Sequence, residues 1–179
     1  MQRIFLIGYM GAGKTTMGKE LSKRMKLTFI DLDYFIEGRF HKTVRQLFEE
    51  KGEETFREIE RNTLLEVADF ENVIISTGGG APCFHQNMEF MNEKGTTVYL
   101  KATVEELAKR VSLSKNTRPI LKGLSGTDLE LFITDALKKR SHFYEQADIV
   151  FDAEMMDTET DIIALGKQLE KTLSGYKKG

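Results

Sequence analysis

The sequence predicts an α/β protein in which helices flank a central parallel sheet of five strands, in three layers. Short apolar runs alternate along the chain with segments whose apolar residues recur every three or four positions, which indicates alternating strands and helices. Apolar strands that alternate with helices are typical of a parallel sheet covered on both faces. The predicted strands are residues 3–7, 28–31, 73–76, 97–100 and 149–151.

The helices between these strands are predicted from apolar periodicity and from residues that start or stop a helix. Thr43, Thr103 and Thr127 each stand three positions before a glutamine or a glutamate, which is the capping-box pattern. Gly52 is expected to stop the helix that Thr43 starts. The predicted helical stretches are residues 14–25, 43–52, 53–68, 84–91, 103–111, 127–137 and 162–173.

Composition limits the classes of function that the chain can have. Its 179 residues suffice for one domain with a core, and the net charge of −2 gives no broad basic surface for nucleic acid or anionic membranes. Cys83 is the single cysteine, so we expect no internal disulfide and a reducing, cytoplasmic setting. We also expect a monomer. We expect no signal peptide, because a strand follows Met1 directly, and no membrane span, because no apolar run approaches ~20 residues.

The strongest local signal is Gly8–Thr15, which fills every fixed position of the phosphate-binding pattern GxxxxGK[ST]. It lies between the first predicted strand and the first predicted helix, which is the context of a P-loop. Its glycines let backbone N–H groups turn toward phosphate oxygens, and the helix N-terminus adds partial positive charge. Lys14 would reach the β- and γ-phosphates of a nucleotide, and the Thr15 hydroxyl would face Mg²⁺. A glycine-rich turn with an incidental lysine is the weaker alternative.

Ligands of parallel sheets bind at the carboxyl ends of the strands, so the residues after the other strands are candidates. Asp31 and Asp33 follow the second strand, and side chains two positions apart on an extended segment face the same side. One carboxylate could hold Mg²⁺ and the other could accept a hydroxyl proton, although a simple Asx turn would explain them too. The series Gly78–Gly80 follows the third strand, where either a ligand approaches the backbone closely or a plain loop lies.

Two arginines and one polar stretch complete the candidates. Arg57 lies among glutamates on a predicted helix, and solvated ion pairs explain it at least as well as a ligand does. Arg140 falls about 20° from Leu129 on the helical wheel, on the apolar stripe, so its charge must find an anion or reach water. Residues 112–124 contain Arg118 and resemble a lid that closes over a nucleotide, with an exposed loop as the alternative.

In their order along the chain, these motifs resemble the shikimate kinase family of nucleoside-monophosphate-kinase-like P-loop enzymes. The resemblance implies one kinase domain over residues 1–179, with a substrate-binding helical segment at 33–61 and a mobile lid at 112–124. It implies transfer of the ATP γ-phosphate to the 3-hydroxyl of shikimate, a step of aromatic amino-acid biosynthesis by the chorismate route. The matching segments are Gly8–Thr16, Asp31-x-Asp33, Phe56-Arg57-x-x-Glu60, Thr77–Gly80, Arg118–Leu121 and Arg140-x-x-x-Tyr144.

The resemblance also implies roles for individual residues. Lys14, Asp33 and Arg118 are the catalytic residues, with Asp33 as the candidate base, while Thr15 holds Mg²⁺ and Asp31 assists through water. The expected contacts to ATP come from Gly11, Ala12, Gly13, Lys14, Thr15, Thr16 and Arg118. The expected contacts to shikimate come from Asp33, Arg57, Gly79, Gly80 and Arg140.

The chain departs from the family's pattern at His142-Phe143, which replaces Pro-Leu, and in the adenine-contacting segment within residues 152–156. Arg110 lies near a nucleotide-contacting arginine of the family. This function has three alternatives. The first is another small-molecule P-loop kinase, such as one that acts on gluconate or a nucleotide; the second is a regulatory GTPase; the third is an inactive binding protein. The GTPase is disfavoured because the sequence contains neither an [NT]KxD nor a DxxG segment.

Overall fold

The computed structural model describes residues 2–113 and 123–177. The strands of these residues are β1 (Arg3–Ile7), β2 (Thr28–Asp31), β3 (Val73–Ser76), β4 (Thr96–Lys101) and β5 (Ile149–Asp152). They form one parallel sheet in the order β2-β3-β1-β4-β5. The predicted five-stranded sheet is therefore confirmed, and β1 lies at its centre, where Ile4–Ile7 are apolar and buried.

Helices flank the sheet and fill the stretches between the strands. They are α1 (Lys14–Met25), α2 (Leu32–Phe40), α3 (Val44–Val67), α4 (Asn87–Lys94), α5 (Val104–Leu113), α6 (Gly126–Tyr144) and α7 (Glu159–Gly175). A 3₁₀ turn, Ala81–Cys83, lies between β3 and α4. On the sheet's surfaces α1 packs against α7, and α5 packs against α6. Within the described ranges, no helix has the length and apolar content to cross a membrane.

Several helices differ in extent from the predictions, and three of the differences change an expectation stated above. The side chain of Asp31 accepts a hydrogen bond from the backbone N–H of Tyr34, and this N-cap starts α2 where we expected Asp33 to stay extended. The predicted capping box at Thr127 is wrong, because α6 starts at Gly126 and its N-cap, Ser125, makes no side-chain cap. The third difference is at α5, which continues to Leu113, so residues 112 and 113, which we expected in the lid, are helical.

Other helix signals are confirmed. Thr43 forms the predicted capping box with Gln46, and the Thr103 hydroxyl accepts from the backbone N–H of Glu106. At Gly52 the backbone is non-helical, with φ of 79°, so α3 is broken where the sequence placed its stop. Most of the predicted lid, including Arg118, lies outside the described residues.

Candidate active site

A cavity of about 490 Å³ opens at the carboxyl ends of the central strands. It brings together residues from the P-loop, from the end of β2 and from the glycines after β3, at the edge of the sheet where we expected the site. Most of the predicted nucleotide and metal residues line it, whereas Ala12 is buried beneath the loop. The predicted residues that line the cavity are Gly11, Gly13, Lys14, Thr15, Thr16, Asp31, Asp33 and Gly79.

The P-loop presents positive charge to this cavity. Gly13 caps α1 with φ of 87°, a conformation that side chains disfavour, and a Cβ there would lie 2.7 Å from Cε of Met156. The first turn of α1 contains no acidic residue in its sequence, so nothing there offsets the positive end of the helix dipole. Lys14 Nζ donates to the carbonyl oxygens of Gly8 and Tyr9, each at 2.9 Å, which holds the ammonium group against the loop.

Thr15 and Asp31 meet at the cavity wall. The Thr15 hydroxyl donates to Asp31 Oδ2 at 2.7 Å. A hydroxyl and a carboxylate are hard oxygen ligands, which fit a Mg²⁺ ion that keeps several waters and phosphate oxygens. The described residues contain no cluster of three or more histidine, cysteine, aspartate or glutamate side chains for a metal. Thr15 and Asp31 therefore fit a magnesium ion that arrives with a nucleotide.

Asp33 reaches the same cavity by a route that the sequence did not predict. It lies in the first turn of α2 and not on an extended segment, because the Asp31 cap turns the chain immediately after β2. A Cβ placed on Gly78 would lie 3.0 Å from Asp33 Oδ1 and 2.8 Å from Glu60 Oε1. The glycine at this position therefore lets two carboxylates approach the backbone of the β3 loop.

Arg57 is the most deeply buried cation among the described residues, with 9% of its surface exposed. Its Nη1 donates to Glu60 at 2.7 Å and its Nη2 donates to Glu53 at 3.3 Å. Its guanidinium carbon lies 4.3 Å from the ring centroid of Phe84. This burial excludes the solvated-helix interpretation.

One donor of Arg57 has no partner. Arg57 Nε is buried and, in the part of the chain that the structure describes, makes no hydrogen bond. The side chain lies against Gly80, where a Cβ would be 2.5 Å from Nη2. The glycine thus lets the charged end of Arg57 lie against the loop backbone, where an anionic ligand could reach the guanidinium.

Arg140 and Tyr144 approach the same glycines from α6. The Arg140 guanidinium points inward as predicted and lies 5.6 Å from the ring centroid of Tyr9. Tyr144 is buried and donates its O–H to the carbonyl oxygen of Gly79 at 2.5 Å. Burial raises the pKa of Tyr144 well above its usual range, so the hydroxyl remains a donor. The sequence included Tyr144 only as part of a motif and assigned it no contact.

Glu60 is the second residue to which the sequence assigned no role. It is 1% exposed and pairs with Arg57. Burial raises the pKa of Glu60 to about 7, Arg57 opposes that rise, and the neighbouring charge of Asp33 adds to it. Its position among several glutamates gave no sign of this burial. Glu58, only two residues away, is exposed on the other side of α3.

Arg110 occupies the opposite wall, where the loop after β5 approaches the P-loop. Its Nε donates to Glu106 at 2.8 Å, and its Nη2 donates to the carbonyl oxygen of Ala153 at 2.7 Å. It lines the cavity together with Met156. The segment 152–156, where we expected the adenine contacts, is therefore held to α5 by Arg110 and reaches the cavity through Met156.

The comparisons with known proteins agree with this geometry. The family model for shikimate kinase matches residues 10–170. The chain belongs to the shikimate kinase family. A shikimate kinase from Parabacteroides distasonis is 65% identical over 97% of this chain and 100% of its own length. These matches confirm the family that the ordered motifs resemble.

Solved structures of shikimate kinases have the same fold. The crystal structure of the enzyme from Bacteroides thetaiotaomicron is similar with a TM-score of 0.94, at 53% identity, and the match covers 97% of this chain and 98% of that one. Shikimate kinase from Acinetobacter baumannii, solved in complex with shikimate, matches with a TM-score of 0.84 at 32% identity, over 99% of this chain and 96% of that one. Membership of this family makes the chain an ATP-dependent kinase and not a regulatory GTPase.

Proposed function

We propose that this chain transfers the γ-phosphate of ATP to the 3-hydroxyl of shikimate, giving shikimate 3-phosphate and ADP. The observation that carries the assignment is the buried guanidinium of Arg57, whose Nη2 lies against Gly80, beside the glycines that line the P-loop cavity. Shikimate has one carboxylate and several hydroxyls. Family membership supports the same reaction and its place in aromatic amino-acid biosynthesis.

The acceptor half of the site would recognise both kinds of group on shikimate. Arg57 and Arg140 would bind its carboxylate, because a guanidinium matches a carboxylate with two parallel hydrogen bonds. The backbone of Gly79 and Gly80 would approach the ring closely. Asp33 would accept hydrogen bonds from the ring hydroxyls.

The nucleotide half would bind ATP through the P-loop. Backbone N–H groups of Gly11 and of Gly13–Thr16 would surround the phosphates, and the Lys14 ammonium would balance their charge. The N–H of Ala12, which we expected among these contacts, donates instead to the carbonyl oxygen of Tyr9 at 3.1 Å. Thr15 and Asp31 would hold Mg²⁺, Asp31 through a water. When bound, the ion neutralises charge on the β- and γ-phosphates.

The chemical step would be an in-line transfer. The 3-hydroxyl oxygen of shikimate bonds to the γ-phosphorus, and the bond from that phosphorus to the bridging oxygen of ADP breaks. The hydroxyl proton passes to the carboxylate of Asp33, and Lys14 stabilises the charge on the transferring group. We also propose that Arg118, outside the described residues, contacts the phosphates during transfer. Such an arginine contributes ~10³–10⁵ to the rate in related chemistry.

The domain assignment and the setting are proposals as well. Residues 1–179 would form one kinase domain, with residues 33–61 as the acceptor-binding segment and 112–124 as the lid. Support for the segment comes from Asp33 of α2 and Arg57 of the broken α3, which both lie close to Glu60. We propose a cytoplasmic monomer, in keeping with a single cysteine that can form no internal disulfide. Light scattering after gel filtration tests the monomer.

A coupled assay of ADP release tests the reaction. Purified protein with Mg²⁺ and ATP is given shikimate, gluconate, nucleoside monophosphates or no acceptor. We expect strong stimulation by shikimate alone. Gluconate is the matched control, because it also carries a carboxylate and hydroxyls but no ring. Stimulation by another acceptor would keep the P-loop chemistry and overturn the shikimate assignment.

Failure with every acceptor would have a different meaning. If ATP still bound but no acceptor stimulated the release of ADP, the chain would be an inactive binding protein, the alternative that the sequence left open.

A further inference from the structure

Glu60 is a buried charged group that the proposed reaction leaves without a task. Among the described residues, only Arg57 and Glu60 are both charged and buried. The cost of burying a carboxylate is several kcal/mol unless partners compensate it, and the partner here is Arg57 at 2.7 Å. Glu60 therefore shares its cation with the carboxylate that Arg57 is proposed to bind.

The groups that face Glu60 come from every element packed around it. Arg57 is on its own helix, Asp33 comes from α2, Arg140 from α6 and Cys83 from the 3₁₀ turn. Arg57 and Arg140 carry two positive charges, and Asp33 and Glu60 carry two negative charges. Burial raises the pKa of the Cys83 thiol, so that side chain stays neutral. Glu53, which is more exposed, adds a third carboxylate at Arg57, so an anionic acceptor enters a cluster that has no spare positive charge.

We propose that Glu60 takes up a proton from solvent when the shikimate carboxylate binds between Arg57 and Arg140, so that acceptor binding is coupled to proton uptake. The inference rests on the proposed function, because it needs a carboxylate acceptor at the two arginines. No covalent bond changes: one proton passes from water or buffer to a carboxylate oxygen of Glu60. The neutral side chain still accepts a hydrogen bond from Arg57 Nη1 through its carbonyl oxygen.

Glu60 is the group in the cluster that takes a proton most easily. The arginines stay charged at every working pH, and Asp33 is only half-buried at the cavity wall. Glu60 is almost fully removed from water, and burial already brings its pKa to about 7. An incoming carboxylate adds negative charge and draws on the same guanidinium, and both effects raise that pKa further.

The sign of the pH dependence follows. Below about pH 7, Glu60 is already protonated in the free enzyme, so shikimate binds without taking up a proton. Above this pH the proton must come from solvent, and the dissociation constant rises by up to about tenfold per pH unit. The rise ends at the higher pKa that Glu60 has in the complex.

Isothermal titration calorimetry measures the coupling directly. Shikimate is titrated into the enzyme at about pH 7.5 in phosphate and in Tris, whose ionisation enthalpies differ, and the difference in heat gives the protons taken up. We expect uptake of about 0.3–0.8 proton by the natural protein. Glu60→Gln should take up none, and it should bind shikimate as tightly as the natural protein or more tightly at about pH 8.5, since glutamine mimics the protonated acid.

Glu53→Gln is the matched control. Glu53 bonds the same guanidinium, but its side chain is 58% exposed, so its removal should leave proton uptake unchanged. Thermal unfolding and ATP binding check that both variants are folded. If Glu60→Gln does not fold, infrared difference spectra of the natural protein should show a protonated carboxyl band gained on adding shikimate.

The possible results separate this inference from the proposed function. Shikimate binding without proton uptake by the natural protein overturns the inference and leaves the function intact. Uptake that persists in Glu60→Gln overturns it as well, because another group then takes the proton. A complete absence of shikimate binding by folded, ATP-binding protein overturns the proposed function and the inference together.

Discussion

The P-loop half and the acceptor half of the cavity present positive charge by different physical means. The P-loop side uses backbone N–H groups, a helix terminus and Lys14, all within Gly8–Thr16. The acceptor side uses two side chains from different helices. Arg57 pairs with Glu60 on α3, and Arg140 lies near Tyr144 on α6. Backbone donors follow phosphate wherever a P-loop forms, whereas buried side-chain charges must be balanced by others nearby. The acceptor side should therefore be more sensitive to single substitutions and to pH.

Lys14→Ala should have the largest effect and should be confined to the nucleotide half. We expect kcat to fall by about 10³ or more, because the ammonium balances charge in the transition state. The dissociation constant for shikimate, measured by calorimetry, should stay within about twofold. Turnover left intact by this change would refute the P-loop assignment.

Arg57→Ala should have the next largest effect, on the acceptor half alone. Removing one partner of a buried charge pair costs about 3–5 kcal/mol, so the KM for shikimate should rise by about 10² or more. The KM for ATP should stay nearly constant. Arg45→Ala is the control on the same helix, since that side chain is 62% exposed and, among the described residues, pairs only with Glu49.

If Arg57→Ala and Arg45→Ala gave the same shikimate KM, Arg57 would have no role in acceptor binding and the comparison between the two halves would fail.

Arg110→Met tests whether the cavity wall that contains Arg110 contributes to ATP binding. The change removes the hydrogen bonds to Ala153 and Glu106, and Glu106 keeps its ion pair with Lys109 at 3.4 Å. The KM for ATP should rise by about tenfold, at 1.5–3 kcal/mol for a charged hydrogen bond, while that for shikimate should not change. Lys109→Met serves as the neighbouring control. A rise in the KM for shikimate, with the KM for ATP unchanged, would show that Arg110 acts in the acceptor half and not in the nucleotide half.

Tyr144→Phe should have the smallest effect and should sharpen the comparison. It removes one neutral hydrogen bond to Gly79, worth about 1 kcal/mol, so the KM for shikimate should rise by about fivefold with kcat and the KM for ATP unchanged. Tyr176→Phe, which removes a hydrogen bond to Asp148 outside the cavity, is its control. Equal effects of both changes on shikimate would mean that Tyr144 contributes only to stability.

The strands and the P-loop could be predicted from the sequence because their signals are contiguous. An apolar run such as Ile4–Ile7 requires burial, and GxxxxGK[ST] places every needed group within eight residues. The kink at Gly52 and the cap at Thr43 were equally local, and both were predicted correctly. Asp33 was placed in the right cavity for the wrong reason, because an N-cap competes with strand extension at Asp31.

The sequence by itself determined the sheet, the phosphate loop and the inward direction of Arg140, since periodicity and short motifs fix each of them. Only the tertiary structure decided that Arg57 and Glu60 are buried, that Tyr144 holds Gly79, and that Arg110 fastens the loop after β5. The i, i+3 spacing of an arginine and a glutamate is the same whether the pair is exposed to water or buried in the protein. Its electrostatics depend on what packs over it, and here the covering groups are Phe84, the β3 glycine loop and α6, from distant parts of the chain.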